Sequence, residues 1–199
     1  MSPQERRRDV TRRQVLDAAA TVFAEKGFDG ASIDDIVVRA GVARGTVYYN
    51  FDSKEAIALC LAARGIAQVD AQLRPRLGAA GEDCEQLLFD LIGQSCRWFI
   101  DNRHLARVVL SAPLRHPAIA ATLPTDRPSF RVLARDILAE GQKQGTVRPD
   151  IDVTTLAQIV GGVFIQAVLV GIDGETEALD GWLRSLLRVL ITGMRAREN

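Results

Sequence analysis

The chain has 199 residues and a mass of 21.7 kDa, and 47% of its residues are hydrophobic, which is enough to bury a sizeable core. Its 25 basic and 25 acidic residues give a formal net charge of zero. This balance excludes general electrostatic attraction to nucleic acid or anionic membrane, so binding of either would need a local patch of charge.

The first predicted element is an amphipathic helix from about Val10 to Lys26. Its apolar residues recur at the spacing of one helix face: Leu16, Ala19, Ala20 and Phe23. Gly27 ends the helix, because glycine adopts the left-handed conformation that often closes a helix. Arginines at positions 6, 7, 8, 12 and 13 precede or overlap this helix and outnumber their acidic neighbours. They predict a basic N-terminal arm.

Two short helices joined by a glycine turn follow. Ser32 and Asp35 form a capping-box pattern at the start of the second helix, which ends at Ala40. Gly41 supplies the turn, and a third helix runs from about Arg44 to Asn50. This arrangement predicts a helix-turn-helix, whose last helix enters the major groove of DNA.

The third helix is predicted to bury Val47 and to face outward with its polar residues, namely Arg44, Thr46, Tyr48 and Tyr49. Arginine can reach guanine edges or phosphate, and a tyrosine hydroxyl can reach phosphate. Ser32 and Lys54 lie at helix starts, where backbone amides favour phosphate, and the arm is predicted to track the minor groove. Simpler alternatives remain: the tyrosines as core aromatics, Lys54 as a solvated side chain, and the arm as a tail.

The segment from Ala18 to Ile57 resembles the N-terminal domain of the tetracycline-repressor (TetR) family of transcriptional regulators. The matching residues are Phe23, Lys26, Gly27, Phe28, Ile36, Ala40, Gly41, Val42, Gly45, Thr46, Tyr48, Phe51 and Lys54. The resemblance implies DNA contacts from Arg44, Thr46, Tyr48, Asn50 and Lys54, with Ser32 and Tyr49 as further contacts. Ala43 departs from the family pattern, which often has Ser or Thr at that capping position.

Beyond this segment the chain continues to predict helices and no convincing strand. Ser53 caps a fourth helix that runs to about Leu73, before Pro75. Further apolar stripes lie at 84–99 and 130–138, separated by a segment with four prolines between Pro113 and Pro128, where helix is expected to be interrupted. A linker is expected at 141–152. We therefore predict an all-α protein of about nine helices, with a DNA-binding domain at 1–54 and a ligand-binding and dimerisation domain at 55–199.

The last two predicted helices suggest a subunit interface. Residues 153–172 contain no charged residue and are long enough to span a bilayer, but two glutamines, two threonines and flanking aspartates favour a soluble helix buried on several faces. With the stripe from Leu179 to Met194, this helix is expected to form an intersubunit bundle in a homodimer, through regions near 153–172 and 177–195. A purely intramolecular core is the alternative.

The resemblance also implies an unidentified small-molecule effector that shifts the fourth helix and releases the operator. Candidate pocket residues are Ser95, Trp98, Phe99, His104, Phe130, Phe164 and Gln166, and for each of them core packing is the simpler explanation. The composition favours an apolar or amphipathic effector.

The sequence predicts no catalytic residue, no metal site and no cofactor. The two histidines are isolated, and no nucleophile and base stand in a recognisable pattern. Three cysteines at unpatterned spacings and the lack of an apolar N-terminal segment predict a reduced, cytoplasmic protein. The leading hypothesis is a ligand-responsive repressor. An all-helical carrier or sensor without a DNA-binding role is the alternative.

Overall fold

A computed structural model describes residues 3–115, 129–173 and 176–195. Over these residues the fold consists of nine α-helices and one short 3₁₀ turn, Arg74–Arg76, with no strand. The helices are α1 Pro3–Gly30, α2 Ile33–Ala40, α3 Arg44–Asn50, α4 Lys54–Leu73, α5 Cys84–Asp101, α6 Arg103–Arg115, α7 Phe130–Gln144, α8 Val153–Asp173 and α9 Thr176–Met194. The predicted all-α fold is confirmed.

The chain forms two compact units. The described residues of the first unit are 3–62 and 102–115, and those of the second are 63–101, 129–173 and 176–195. The division falls inside α4, so this helix contributes its first part to one unit and the remainder to the other. The first unit also includes α6, a helix from the middle of the chain.

Local sequence signals explain the ends of the short helices in the first unit. The Asp35 amide donates to the Ser32 hydroxyl at 3.1 Å, and the Ser32 amide donates to the Asp35 carboxylate at 2.9 Å, so the predicted capping box is present. Gly41 closes α2 with φ 64°. Ile36 and Val47 are fully buried, which fixes the faces that α2 and α3 turn to the core.

The second unit is built around α5, α7 and α8, which pack against one another. Buried residues of α7 follow the predicted stripe: Phe130, Leu133, Ala134, Ile137 and Leu138. The Val132 amide donates to the Ser129 hydroxyl at the start of α7, and Gly145 closes it with φ 74°. Helix α9 packs on α8.

Several boundaries differ from the sequence-based expectations. Helix α1 begins at Pro3, not near Val10, and Gly27 interrupts it with φ 71° and ψ 171°. No apolar stripe in the sequence predicted helix α6, which continues past Pro113 to Arg115. Helix α7 extends to Gln144, so the first four residues of the expected 141–152 linker are helical. Residues 116–128, with the other three prolines of that segment, lie outside the described residues.

Among the described residues, two helical segments are long and apolar enough to cross a membrane, judged by length and composition alone. They are 54–76 and 153–172, whose most apolar stretches are 56% and 44% buried inside the structure. Core helices of soluble proteins have the same length and composition, so the two segments are weak evidence for a membrane span.

Candidate nucleic-acid interface

Helix α3 presents a polar and aromatic surface above a single buried residue. Val47 is fully buried, whereas Tyr48 is 45% exposed and Tyr49 is 71% exposed. Arg44 is exposed and Thr46 is half-buried. The alternative of Tyr48 and Tyr49 as core aromatics is therefore wrong, and α3 has the outward face that groove binding requires.

Arg44 lies at the start of this face and is held by neighbours on two sides. One guanidinium nitrogen pairs with the Asp34 carboxylate of α2, and another donates to the Tyr48 hydroxyl at 3.5 Å. Tyr48 and then Asp34 hold the pKa of Arg44 above its ordinary value. Exposed ion pairs contribute roughly 0–1 kcal/mol, so exchanging Asp34 for a DNA acceptor costs Arg44 little.

The two helix starts on this surface differ in their caps. Ser32, at the N-cap of α2, is exposed, and its hydroxyl bonds to both the Asp35 amide and the Asp35 carboxylate. Ala43, at the N-cap of α3, has no side chain that can cap. The departure of Ala43 from the usual Ser or Thr thus removes a bond that α2 retains.

The side chains of Asn50 and Lys54 bond to the backbone, so they are less available to DNA than the resemblance implies. The Asn50 amide nitrogen donates to the Thr46 carbonyl at 2.8 Å, and its buried Oδ1 has no hydrogen-bond partner among the described residues. The Lys54 ammonium donates to the carbonyls of Phe28 at 2.7 Å and Ala31 at 2.8 Å. Both stay predicted DNA contacts, but each would have to give up or share a backbone bond.

The N-terminal arginines belong to a helix and not to an extended arm. Residues 3–13 are the first turns of α1. Arg8 lies over the Tyr49 ring, 5.3 Å from its centroid. Arg12 turns inward to the Asn50 carbonyl, whereas Arg13 is exposed. The arm is therefore helical over the described residues, and its contact with the minor groove stays a prediction. The contacts of Arg12 were not indicated by any sequence pattern.

Most of the candidate effector residues come together in the second unit as an aromatic cluster. The Phe130 and Phe164 rings stack with centroids 4.2 Å apart, Phe99 lies 5.7 Å from Phe164, and Trp98 lies 5.0 Å from Phe99. Ser95 is fully buried one helical turn before Phe99, and its hydroxyl has no hydrogen-bond partner within the described part of the chain.

The other two candidates lie elsewhere. Gln166 is exposed, on the outer side of α8 with Ile165 and Leu169, and not among the buried residues of that helix. His104 belongs to the first unit, where it lines a cleft of about 530 Å³ with residues that include Phe28 and Arg107. Burial lowers the pKa of His104.

Two family profiles match the chain. One, described as bacterial regulatory proteins of the tetR family, matches residues 15–61, and the other, described as the C-terminal domain of SbtR-like transcriptional regulators, matches residues 83–196. The chain belongs to the TetR family. It is accordingly a ligand-responsive, DNA-binding transcriptional regulator, and the predicted family membership is confirmed.

Named relatives and solved structures agree with this assignment over nearly the whole chain. The HTH-type transcriptional repressor KstR2 of Rhodococcus jostii is 28% identical, over 94% of this chain and 93% of the relative. The fatty acid metabolism regulator protein of Bacillus subtilis is 24% identical over 91% of this chain and 94% of the relative. The FadR repressor of Thermus thermophilus, solved with lauroyl-CoA, has the same fold, with a TM-score of 0.77, 24% identity, and coverage of 94% of this chain and 97% of that one.

Proposed function

We propose that this TetR-family chain is a cytoplasmic, homodimeric repressor whose α3 helices read operator DNA and which leaves the operator when an amphipathic effector binds the second unit. The proposed activity is binding and not catalysis. The observation that carries the DNA half of the proposal is the exposed face of α3, with Arg44, Tyr48 and Tyr49 outward and Val47 buried.

The division of labour on α3 follows from the chemistry of its side chains. Arg44 is proposed to reach a base edge, because a guanidinium can donate two parallel bonds to guanine. Tyr48, Tyr49 and Thr46 are proposed to contact phosphates or thymine methyls, and Ser32, Asn50 and Lys54 to contact phosphates. Phosphate contacts set the register of the protein, whereas the base contact discriminates between sequences.

The proposed dimer interface is the outer face of α8 together with α9. Ile159, Ile165, Leu169 and Val170 are between 39% and 47% exposed and recur at helical spacing, and Val189 of α9 is 76% exposed. Exposed apolar residues grouped on neighbouring helices mark interaction surfaces. A two-fold axis would pair this face with itself, and dimerisation is needed to place two recognition helices about 34 Å apart.

The proposed effector has a long apolar part. The stacked rings of Phe130 and Phe164, with Phe99 beside them, are an apolar surface for an alkyl or ring system, and the buried, unpartnered Ser95 hydroxyl is available to one polar group. Relatives of the same fold support an acyl group, since FadR of Bacillus subtilis was solved with stearoyl-CoA and that of Thermus thermophilus with lauroyl-CoA. Because α4 runs through both units, we propose that it transmits the effector's binding energy to the DNA-binding unit.

The test begins with duplexes that the wild-type chain selects from a random library. We expect Arg44→Ala to lower affinity for the selected duplex at least tenfold and to relax the preference at one base position. Arg97→Ala, an exposed arginine on α5, is the matched control and should change neither quantity. Lauroyl-CoA, added at increasing concentration, should release the selected duplex. Equal affinity of the wild type for selected and scrambled DNA would refute sequence reading by α3.

A further inference from the structure

Arg12 makes three contacts that join separate helices of the first unit. Its Nη1 donates to the main-chain carbonyl of Asn50 at 2.7 Å, and its Nη2 donates to the Cys60 sulfur at 3.1 Å. The face of the guanidinium lies over the Phe51 ring, 4.3 Å from its centroid. One side chain of α1 therefore bonds to the last residue of α3 and to a residue of α4, and covers the residue that ends α3.

Helix α3 has few means of its own to hold its orientation. It has seven residues and one fully buried side chain, Val47, and Ala43 provides no side-chain cap. Helices this short are unstable in isolation, so tertiary contacts decide where they point. The Arg12 charge lies at the carboxyl end of α3, where the helix dipole favours a cation, and Phe51 beneath it is buried.

We propose that Arg12 is a positioning residue for sequence recognition: it fixes the direction of α3 relative to α1 and α4 and does not itself neutralise a DNA phosphate. This inference rests on the proposal that α3 reads the major groove. Loss of Arg12 would let α3 tilt, so base contacts would weaken while the phosphate contacts that all sequences share would persist.

The distinguishing measurement is the salt dependence of binding. Each phosphate that a protein neutralises contributes about −0.9 to the slope of log affinity against log salt on duplex DNA. Arg12→Gln should lower the ratio of affinities for selected and scrambled duplexes at least tenfold while leaving this slope unchanged. Arg12→Lys should also lose most of the ratio, because an ammonium keeps the charge but cannot bridge Asn50 and Cys60 in the same plane.

The neighbouring arginine is the matched control for charge. Arg13 is adjacent and exposed, so Arg13→Gln removes the same charge from the surface of α1. Arg13→Gln should leave the ratio of affinities for selected and scrambled duplexes unchanged, whether or not it changes the salt dependence of binding. If Arg12→Gln instead shortens the slope by about 0.9 per subunit and Arg12→Lys restores it, Arg12 is a phosphate contact and the inference is overturned.

A second pair of variants covers the case in which Arg12 variants do not fold. Cys60→Ala removes the sulfur acceptor and should lower the affinity ratio, whereas Cys60→Ser keeps an acceptor and should retain it. Equal ratios for these two, with folding verified by circular dichroism, would overturn the inference. If the wild type selects no sequence, both the proposed function and this inference are overturned. If the wild type is selective but the Arg12 variants have the same ratio of affinities as Arg13→Gln, only the inference is overturned.

Discussion

The packing of Trp98 against Gly65 in the second unit allows a prediction about the stability of the protein. Gly65 lies in α4 against the indole of Trp98, and a Cβ added to Gly65 would lie within 2.6 Å of Cδ2 and Cζ2 and closer still to Cε2. Real Cβ contacts do not occur at such distances, so the ring or the helix would have to move. Trp98 packs edge-on against Phe99, which limits how far the indole can move away from Gly65. Gly65→Ala should therefore destabilise the protein.

The magnitude follows from two opposing effects. Alanine is favoured over glycine inside a helix by roughly 1 kcal/mol, whereas forcing an extra methyl into a packed site costs about 1–3 kcal/mol. We expect a net loss of about 1 kcal/mol in the free energy of unfolding, which lowers Tm by roughly 2–4 °C for a chain of this length. In a Trp98→Leu background the ring is absent, so the same Gly65→Ala change should stabilise by about 1 kcal/mol.

Thermal unfolding followed by circular dichroism at one fixed protein concentration measures all four members of this cycle. Gly93→Ala is the control, because Gly93 lies within α5 and an added Cβ there meets no atom within 4 Å. It should raise Tm through helix propensity alone. A rise in Tm for Gly65→Ala in the wild-type background, or an equal shift with and without Trp98, would refute the argument.

Three further outcomes are expected. Leu169→Lys should give monomers in light scattering, because burying the exposed 43% of Leu169 is worth roughly 1 kcal/mol in each subunit and a lysine there would bury an unpaired charge; an unchanged mass would contradict the proposed interface. Bonds from Lys26 and then Ser32 hold the pKa of Asp35 well below its usual range. The contribution of these bonds to stability is therefore complete above about pH 4 and is lost as the pH falls further. Asp35→Asn should reduce the fall of Tm below about pH 4, and an unaltered fall would contradict this. Burial raises the pKa of the Cys96 thiol to about 12, so alkylation at pH 8 followed by mass spectrometry should label half-buried Cys60 first and leave Cys96 unlabelled in the folded chain.

The effector candidates show how far a periodic pattern can be taken. The stripes of α5 and α7 indicated Phe99 and Phe130 as inward residues, and Phe164 of the uncharged helix was a further pocket candidate. The structure brings the three rings together. The same reasoning included Gln166, which is exposed, because a helix that is apolar on all sides does not reveal which side faces its own core. It also included His104 from its nearness in sequence, although α6 packs with α1 in the first unit.

The sequence by itself determined the features that depend on neighbouring residues. Three such features are the capping box of Ser32 and Asp35, the left-handed Gly41 and the inward-facing Val47. Each depends on residues only a few positions apart, so it could be predicted before the fold was known. The resemblance to the TetR family was likewise carried by one local segment, 18–57, which includes these residues. They place α3 at the surface with its polar side outward.

Only the tertiary structure decided the contacts between residues that are distant in the chain. Arg12 was expected in a basic arm, but it bonds to residues 38 and 48 positions away. The space beside Gly65 is filled by the Trp98 ring of another helix. Such contacts depend on how whole helices pack, and no local propensity or spacing encodes a partner that far along the chain. The sequence thus indicated the surface that we propose faces DNA, whereas packing determined which of its side chains are free to make such a contact.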